Sequence, residues 1–244
     1  MPSDAPAPMS IARRAATEAL GTAFLLASVV GSGVMAQQLS GGNVALALLA
    51  NALATGGALV ALLFALGPIS GAHLNPVVSL VLAWRGDLPR RDVGAYLIAQ
   101  TLGAVAGVLV AHIVFSLPYT SAFEPGRGGT AAFVSETVAT FGLVLVVWRV
   151  SRSHPAAVPY AVAAYVVSAY WFTSSTSFAN PAVTLARALT GSFSGIRVED
   201  VPLFVAAQLL GGGLAASYCA WIDAGGTRAA AGRGGGASAR TERR

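Results

Sequence analysis

The sequence predicts an all-α membrane protein of six transmembrane helices plus two re-entrant half-helices, arranged as an inverted repeat. Three observations carry that prediction. Of 244 residues 55% are hydrophobic and only 10% charged, with a mean hydropathy of +0.67, whereas a soluble domain carries about a quarter charged residues. The charges are also clustered: Glu18 stands alone between Arg14 and Arg85, and none occurs between Asp92 and Glu124 or between Arg152 and Arg187. Gaps of this size hold spans of about 20 residues. Finally, three segments of the first half recur, in the same order, in the second.

The six spans fall at about Ala15 to Met35, Val44 to Leu66, Val93 to Phe115, Ala131 to Val150, Ala156 to Thr173 and Val201 to Ile222. Each is long enough to cross a bilayer as a helix. Arg13 and Arg14 before the first span resemble the start of a signal peptide, but the remaining spans need this segment as a partner, so it is expected to be retained. Two further apolar pieces, Leu74 to Trp84 and Ala179 to Leu189, are too short to span and read as re-entrant segments. Residues 1–10 and 224–244 lack apolar periodicity and are expected to be disordered tails flanking a domain over 11–223, with halves at about 11–115 and 131–223.

The net charge of +5 comes from arginine alone, since the chain has no lysine. With the N-terminus in the cytoplasm, Arg13, Arg14, Arg85, Arg90, Arg91, Arg149, Arg152 and the five tail arginines lie inside, leaving Arg127, Arg187 and Arg197 outside. That asymmetry places both termini in the cytoplasm. It also accounts for the basic pI without a nucleic-acid partner, which would require a basic face on a folded surface. The single Cys219 excludes a disulfide within the chain.

The repeat pairs Glu18-Ala-Leu-Gly-Thr with Glu136-Thr-Val-Ala-Thr, His73-Leu-Asn75-Pro76 with Phe178-Ala-Asn180-Pro181, and Ala99-Gln100 with Ala207-Gln208. Each half holds three spans, an odd number, so the halves take opposite topologies in the membrane. Asn is a strong helix N-cap and Pro suits the first helical position. Asn75-Pro76 and Asn180-Pro181 therefore start two half-helices that enter from opposite sides and meet near the midplane. Irregular backbone at that depth is tolerated where protein or a water-filled cavity covers it. The two N-terminal dipoles add a positive field there, and each Asn presents an NH2 group to a passing oxygen while its carbonyl caps the helix. Such a centre holds a water or alcohol by donors and disfavours hydronium and metal cations.

Ser70-Gly71-Ala72-His73-Leu74-Asn75-Pro76-Val77 and Asn180-Pro181-Ala182 resemble the paired signature motifs of the major intrinsic protein family, the aquaporins and glycerol facilitators, over about residues 11 to 223. The resemblance implies an aquaporin-like right-handed bundle, a pore in each subunit, a homotetramer, and a bacterial inner-membrane location for this chain. It implies no enzymatic activity, no cofactor and no metal. By the same resemblance Glu18 and Glu136 are buried carboxylates that brace the half-helix loops through backbone N–H groups, and His73 braces the first loop. His112 and His154 are expected at the membrane interface.

Two departures from the family pattern stand out. Val77 replaces the usual alanine, adding bulk near the expected contact between the half-helices. Val183 follows the second Asn-Pro-Ala where the family typically has arginine. Counting by the family's spacings, the filter falls at Thr55, Ser168, Ser177 and Val183, all small and uncharged, so a wide filter is expected unless a neighbouring aromatic enters it. Tyr170, Trp171, Phe172 and Phe178 lie near enough in sequence to do so. Arg187, one turn beyond Val183, is expected about 6 Å further out on a similar face, where its charge could rim the vestibule, reach the headgroups or pair with an outer-loop carboxylate.

The implied function is a passive channel for small uncharged polar solutes: glycerol, urea, metalloid acids such as arsenite or methylated arsenicals, and water. Two alternatives stand beside it. A secondary transporter also uses inverted repeats and broken helices, and a non-conducting membrane scaffold fits Val77 and the missing arginine.

Overall fold

The computed structural model describes residues 9–118 and 127–238, and side chains as far as Ala224. It contains eight α-helices among those residues: α1 (Ile11–Leu39), α2 (Val44–Ser70), α3 (Pro76–Arg85), α4 (Val93–Val114), α5 (Thr130–Ser153), α6 (Val158–Phe172), α7 (Pro181–Arg187) and α8 (Val201–Ser238). Six are long and apolar enough to cross a membrane, while α3 and α7 are the expected half-helices.

Side chains that accept from backbone N–H groups start the helices where the sequence places them. Ser10 accepts from the Arg13 N–H and Asn43 from the Leu46 N–H at 3.0 Å. Pro68 lies inside α2, which ends on Gly71 at φ 90°, a left-handed cap suited to a residue without Cβ. The spans are apolar on nearly every face, as expected of helices solvated by lipid. Leu20, Phe24, Leu53, Ile98 and Leu102 point outward, while Leu26, Val30, Val108 and Phe204 are fully buried.

Within the first half α1 packs along α4 and α2, and within the second α5 packs along α8 and α6. The halves join through α2 against α6, and each half-helix touches both α4 and α8. Small residues set the close crossings: a methyl group at Gly103 or Gly107 would collide with the Ala19 or Ala23 carbonyl, and one at Gly211 with the Thr137 carbonyl. Gly103 and Gly211 sit at matching points of the repeat, so both halves use the same tight helix approach there.

Three expectations need correction. α8 does not stop at residue 223 but continues to Ser238; no proline interrupts it, and Ala229, Ala230 and Ala231 are strong helix formers. The expected disorder of residues 1–8 and 239–244 lies outside the described residues. His112, expected at the membrane interface, is enclosed by protein near the end of α4 rather than exposed there, at 1% exposure. Val77 does not face the other half-helix: it packs beside Val81, Val144 and Trp148, with a side-chain methyl lying over Gly212 of α8.

Candidate pore and selectivity filter

Each half-helix is preceded by an irregular loop held by one buried carboxylate. Glu18 accepts from the Ser70 hydroxyl at 2.7 Å and the His73 N–H at 3.0 Å on one oxygen. Its other oxygen accepts from the Leu74 N–H at 2.7 Å and the Gln100 amide at 2.8 Å. Glu136 repeats the pattern with Ser175 at 2.6 Å, the Phe178 N–H at 2.9 Å, the Ala179 N–H at 2.8 Å and Gln208 at 2.6 Å. Both carboxylates are fully buried. Four donors fill the four acceptor sites of each group, which leaves no site for relaying a proton and disfavours a proton-coupled transporter. Gln100 and Gln208 also donate to Ser79 and Thr184, tying α4 and α8 to α3 and α7. The sequence held their signal, since both glutamines lie in the third repeated segment.

The loops need this bracing because their backbones are strained. Ala72 and Leu74 have φ of 45° and 49°, and Ser177 and Ala179 have 53° and 49°, in the left-handed region that residues with a Cβ avoid. Each such residue costs on the order of 1–3 kcal/mol. His73 adds a side-chain link between its Nδ1 and the Ser79 hydroxyl at 3.0 Å, and its ring lies by Tyr96.

The two asparagines meet where the half-helices begin. The Asn75 side-chain carbonyl accepts from the Val77 N–H at 2.9 Å, and that of Asn180 from Ala182 at 3.0 Å and Val183 at 3.3 Å. Their amide groups are shared differently from the sequence expectation. Asn75 donates one N–H to the Ala179 carbonyl and Asn180 donates one to the Leu74 carbonyl, both at 2.8 Å. Each amide thus closes the opposite half's loop and keeps one N–H for another acceptor.

Both asparagines border a cavity of about 170 Å³ that reaches from Arg85 and Ser151, at the end carrying the termini, to Arg187 at the other. Of the four residues selected by spacing, Thr55, Ser177 and Val183 line it. Ser168 does not: it is exposed on the outer face of α6 and its hydroxyl donates to the Ala164 carbonyl. Tyr170 lines the cavity instead, and its hydroxyl lies 3.3 Å from that of Thr55. Two residues amount to about 200° of helix rotation, so a count that selects Ser168 selects the face opposite Tyr170. Trp171 and Phe172 face outward, whereas Phe178 lines the cavity. Two aromatic side chains, Tyr170 and Phe178, thus share the cavity wall with the small residues that spacing selects.

Arg187 does not reach outward to the headgroups; it borders the cavity at the end away from the termini. It is 2% exposed, borders the cavity one turn beyond Val183, and stacks its guanidinium 3.4 Å from the Phe178 ring centroid. Its Nε donates to the Ser194 carbonyl. Arg127, in the segment before α5, lies over the same ring at 5.7 Å. It donates to the Ser175 and Phe193 carbonyls and the Thr176 hydroxyl. At the opposite end Arg85 pairs with Asp87 and donates to the Trp148 carbonyl and Ser151 hydroxyl.

Comparison with known proteins agrees with this geometry. The family model described as major intrinsic protein matches residues 7–168. The aquaglyceroporin AqpS of Rhizobium meliloti (strain 1021) is 53% identical over 212 residues, covering 87% of this chain and 91% of its own. Aquaporin Z of Rhodopseudomonas palustris is 32% identical, covering 80% of this chain and 87% of its own. The X-ray structure of the aquaglyceroporin from Plasmodium falciparum superposes with a TM-score of 0.68 at 23% identity, over 86% of this chain and 95% of that one. The family match ends before the second Asn-Pro, but the relatives extend across most of both chains and the inverted repeat supplies the second motif in register. An integral membrane protein with these paired half-helices and this ancestry belongs to the major intrinsic protein family of channels.

Proposed function

We propose that the chain is a passive channel for small uncharged polar solutes, among them glycerol, urea, metalloid acids such as arsenite or methylated arsenicals, and water, and that it excludes protons and ions. The observation that carries the reading is the cross-bonded asparagine pair midway along the cavity. Each amide retains one N–H, so a solute oxygen is held by fixed donors at a point where two helix N-termini converge. A hydronium ion finds donors and positive potential there, both unfavourable to it.

Solute choice follows from the filter. Thr55, Tyr170 and Ser177 offer hydroxyls, and the Ser177 hydroxyl has no protein partner among the described residues. Val183 and Phe178 provide apolar surface in the same cavity. A polyol or hydroxylated metalloid presents hydroxyl groups together with a less polar body, which suits a wall divided in this way. The relatives named aquaglyceroporin and aquaporin support glycerol and water as substrates here. The arginine distribution supports a bacterial inner-membrane protein with both termini in the cytoplasm, and family membership supports a homotetramer in the bilayer.

The test is stopped-flow light scattering of proteoliposomes holding the purified chain, with water, glycerol, urea or arsenous acid, with and without a protonophore. Facilitated flux of at least one neutral solute, unaffected by the protonophore, is expected. Flux that collapses with the proton gradient would refute the channel reading in favour of a coupled transporter, and no flux of any solute would support the scaffold.

A further inference from the structure

A buried guanidinium in a membrane protein requires compensation. The guanidinium of Arg187 stacks on Phe178, its Nε donates to the Ser194 carbonyl, and its own backbone carbonyl accepts from Ile196 at 3.3 Å, fixing the turn that positions it. Its two terminal amino groups meet no protein acceptor among the described residues, and no ion pair there includes it. The nearby buried carboxylate, Glu136, is saturated by four other donors. Arg127 adds a second cation over the same aromatic ring. An aromatic face offsets only part of a cation's desolvation, and two like charges in a poorly screened site repel. Among the described residues, therefore, no carboxylate pairs with Arg187 at the mouth of the cavity opposite the termini, and its terminal donors border the solute path.

We propose that this mouth is a binding site for a small inorganic monoanion, such as a halide or nitrate, held on the terminal amino groups of Arg187 beyond Val183. The planar fork of donors suits a compact anion, and the ion supplies from solution the counter-charge that no side chain among the described residues provides. Phe178 is the positioning residue, because its ring fixes the plane of the guanidinium. The flux consequence rests on the channel reading: the bound anion stands where a neutral solute enters, so the two compete. Anion binding itself does not depend on that reading.

The test uses the full chain in proteoliposomes, with gluconate replaced stepwise by nitrate on both sides at constant ionic strength and osmolarity. Glycerol and water permeabilities are expected to fall with nitrate, roughly twofold where its concentration equals its Kd, as for any single-site competitor. Arg187→Gln is expected to abolish the dependence. Arg187→Lys, which keeps a charge but not the fork, and Phe178→Leu, which frees the guanidinium, are each expected to weaken it should Arg187→Gln fail to assemble. Separately, iodide soaked into crystals of the unaltered chain should give an anomalous scattering peak within hydrogen-bond reach of the Arg187 amino groups. A conducting wild type indifferent to nitrate, an equal response in Arg187→Gln, or no iodide at Arg187 would each overturn the proposal. A wild type that moves no solute would instead refute the channel reading, while the iodide peak would still decide the anion site.

Discussion

Replacing Glu136 with glutamine changes one oxygen into an NH2 group with almost no change of shape, and its cost can be worked from the contacts. The carboxylate accepts from Ser175, Phe178, Ala179 and Gln208 at 2.6 to 2.9 Å. In the variant one oxygen keeps two of these donors, now without the charge, and the amide nitrogen faces the other two. Ser175 can turn its hydroxyl to accept, but a backbone N–H cannot. Hydrogen bonds to charged groups contribute about 1.5–3 kcal/mol each, so losing one or two and weakening the rest costs roughly 3–6 kcal/mol. At about 2–4 °C per kcal/mol for a chain of this size, the thermal midpoint should fall by roughly 10–20 °C. Unfolding in detergent can be followed by a thiol-reactive fluorophore, since Cys219 is the sole cysteine and is buried. Glu18→Gln should fall by a similar amount, and the exposed Glu199→Gln should hardly change. If both buried variants shifted by less than about 2 °C, the carboxylates would not be what holds the loops.

Three more outcomes follow from the same geometry. Tyr170→Ala removes the ring opposite Thr55 and should raise the permeability of larger polyols relative to water severalfold in the same light-scattering assay; an unchanged ratio would remove Tyr170 from the filter. Ser168→Ala, on the outer face of α6, should leave every solute ratio unaltered, and a changed ratio would reinstate the residue that spacing selects. Gly107→Val forces a side chain against the Ala23 carbonyl and should cost at least about 1–3 kcal/mol through overpacking, read as a lower thermal midpoint. An unshifted midpoint would show that α1 and α4 can separate there without loss.

The architecture was legible because the residues that build it act locally. Asn75-Pro76 and Asn180-Pro181 cap helices whatever surrounds them, and the charge-free runs announce their own spans. The bracing network was half legible: Glu18 and Glu136 stood out as charges in apolar sequence, whereas Gln100 and Gln208 were visible only as repeated letters without a role. The filter was the least legible part because it depends on helix rotation. Val158, Val162, Val166 and Tyr170 line the cavity at four-residue intervals, a helical stripe the sequence contains, but counting twelve residues back from Asn180 passes through an irregular loop and lands on the wrong face. The same difficulty applies to Val77. On α3 the cavity is lined by Val78, Leu82 and Arg85, which leaves Val77 and Val81 to pack with Val144 and Trp148. Arg187 was placed on the correct face by its four-residue distance from Val183, but its burial depends on Phe178 and on the turn at Ser194, contacts that no spacing rule contains.

The exchange of amide bonds between Asn75 and Asn180 also bears on how the molecule is made. The Leu74 carbonyl waits for a donor that lies 106 residues further along the chain. The first half therefore leaves the translation machinery with a strained loop and an unanswered carbonyl at bilayer depth, and it completes its bonding only when the second half arrives. The second half is in the same position with respect to Asn75. Neither half satisfies these groups alone, so the bonding of both loops is completed by a mutual closure at the midplane.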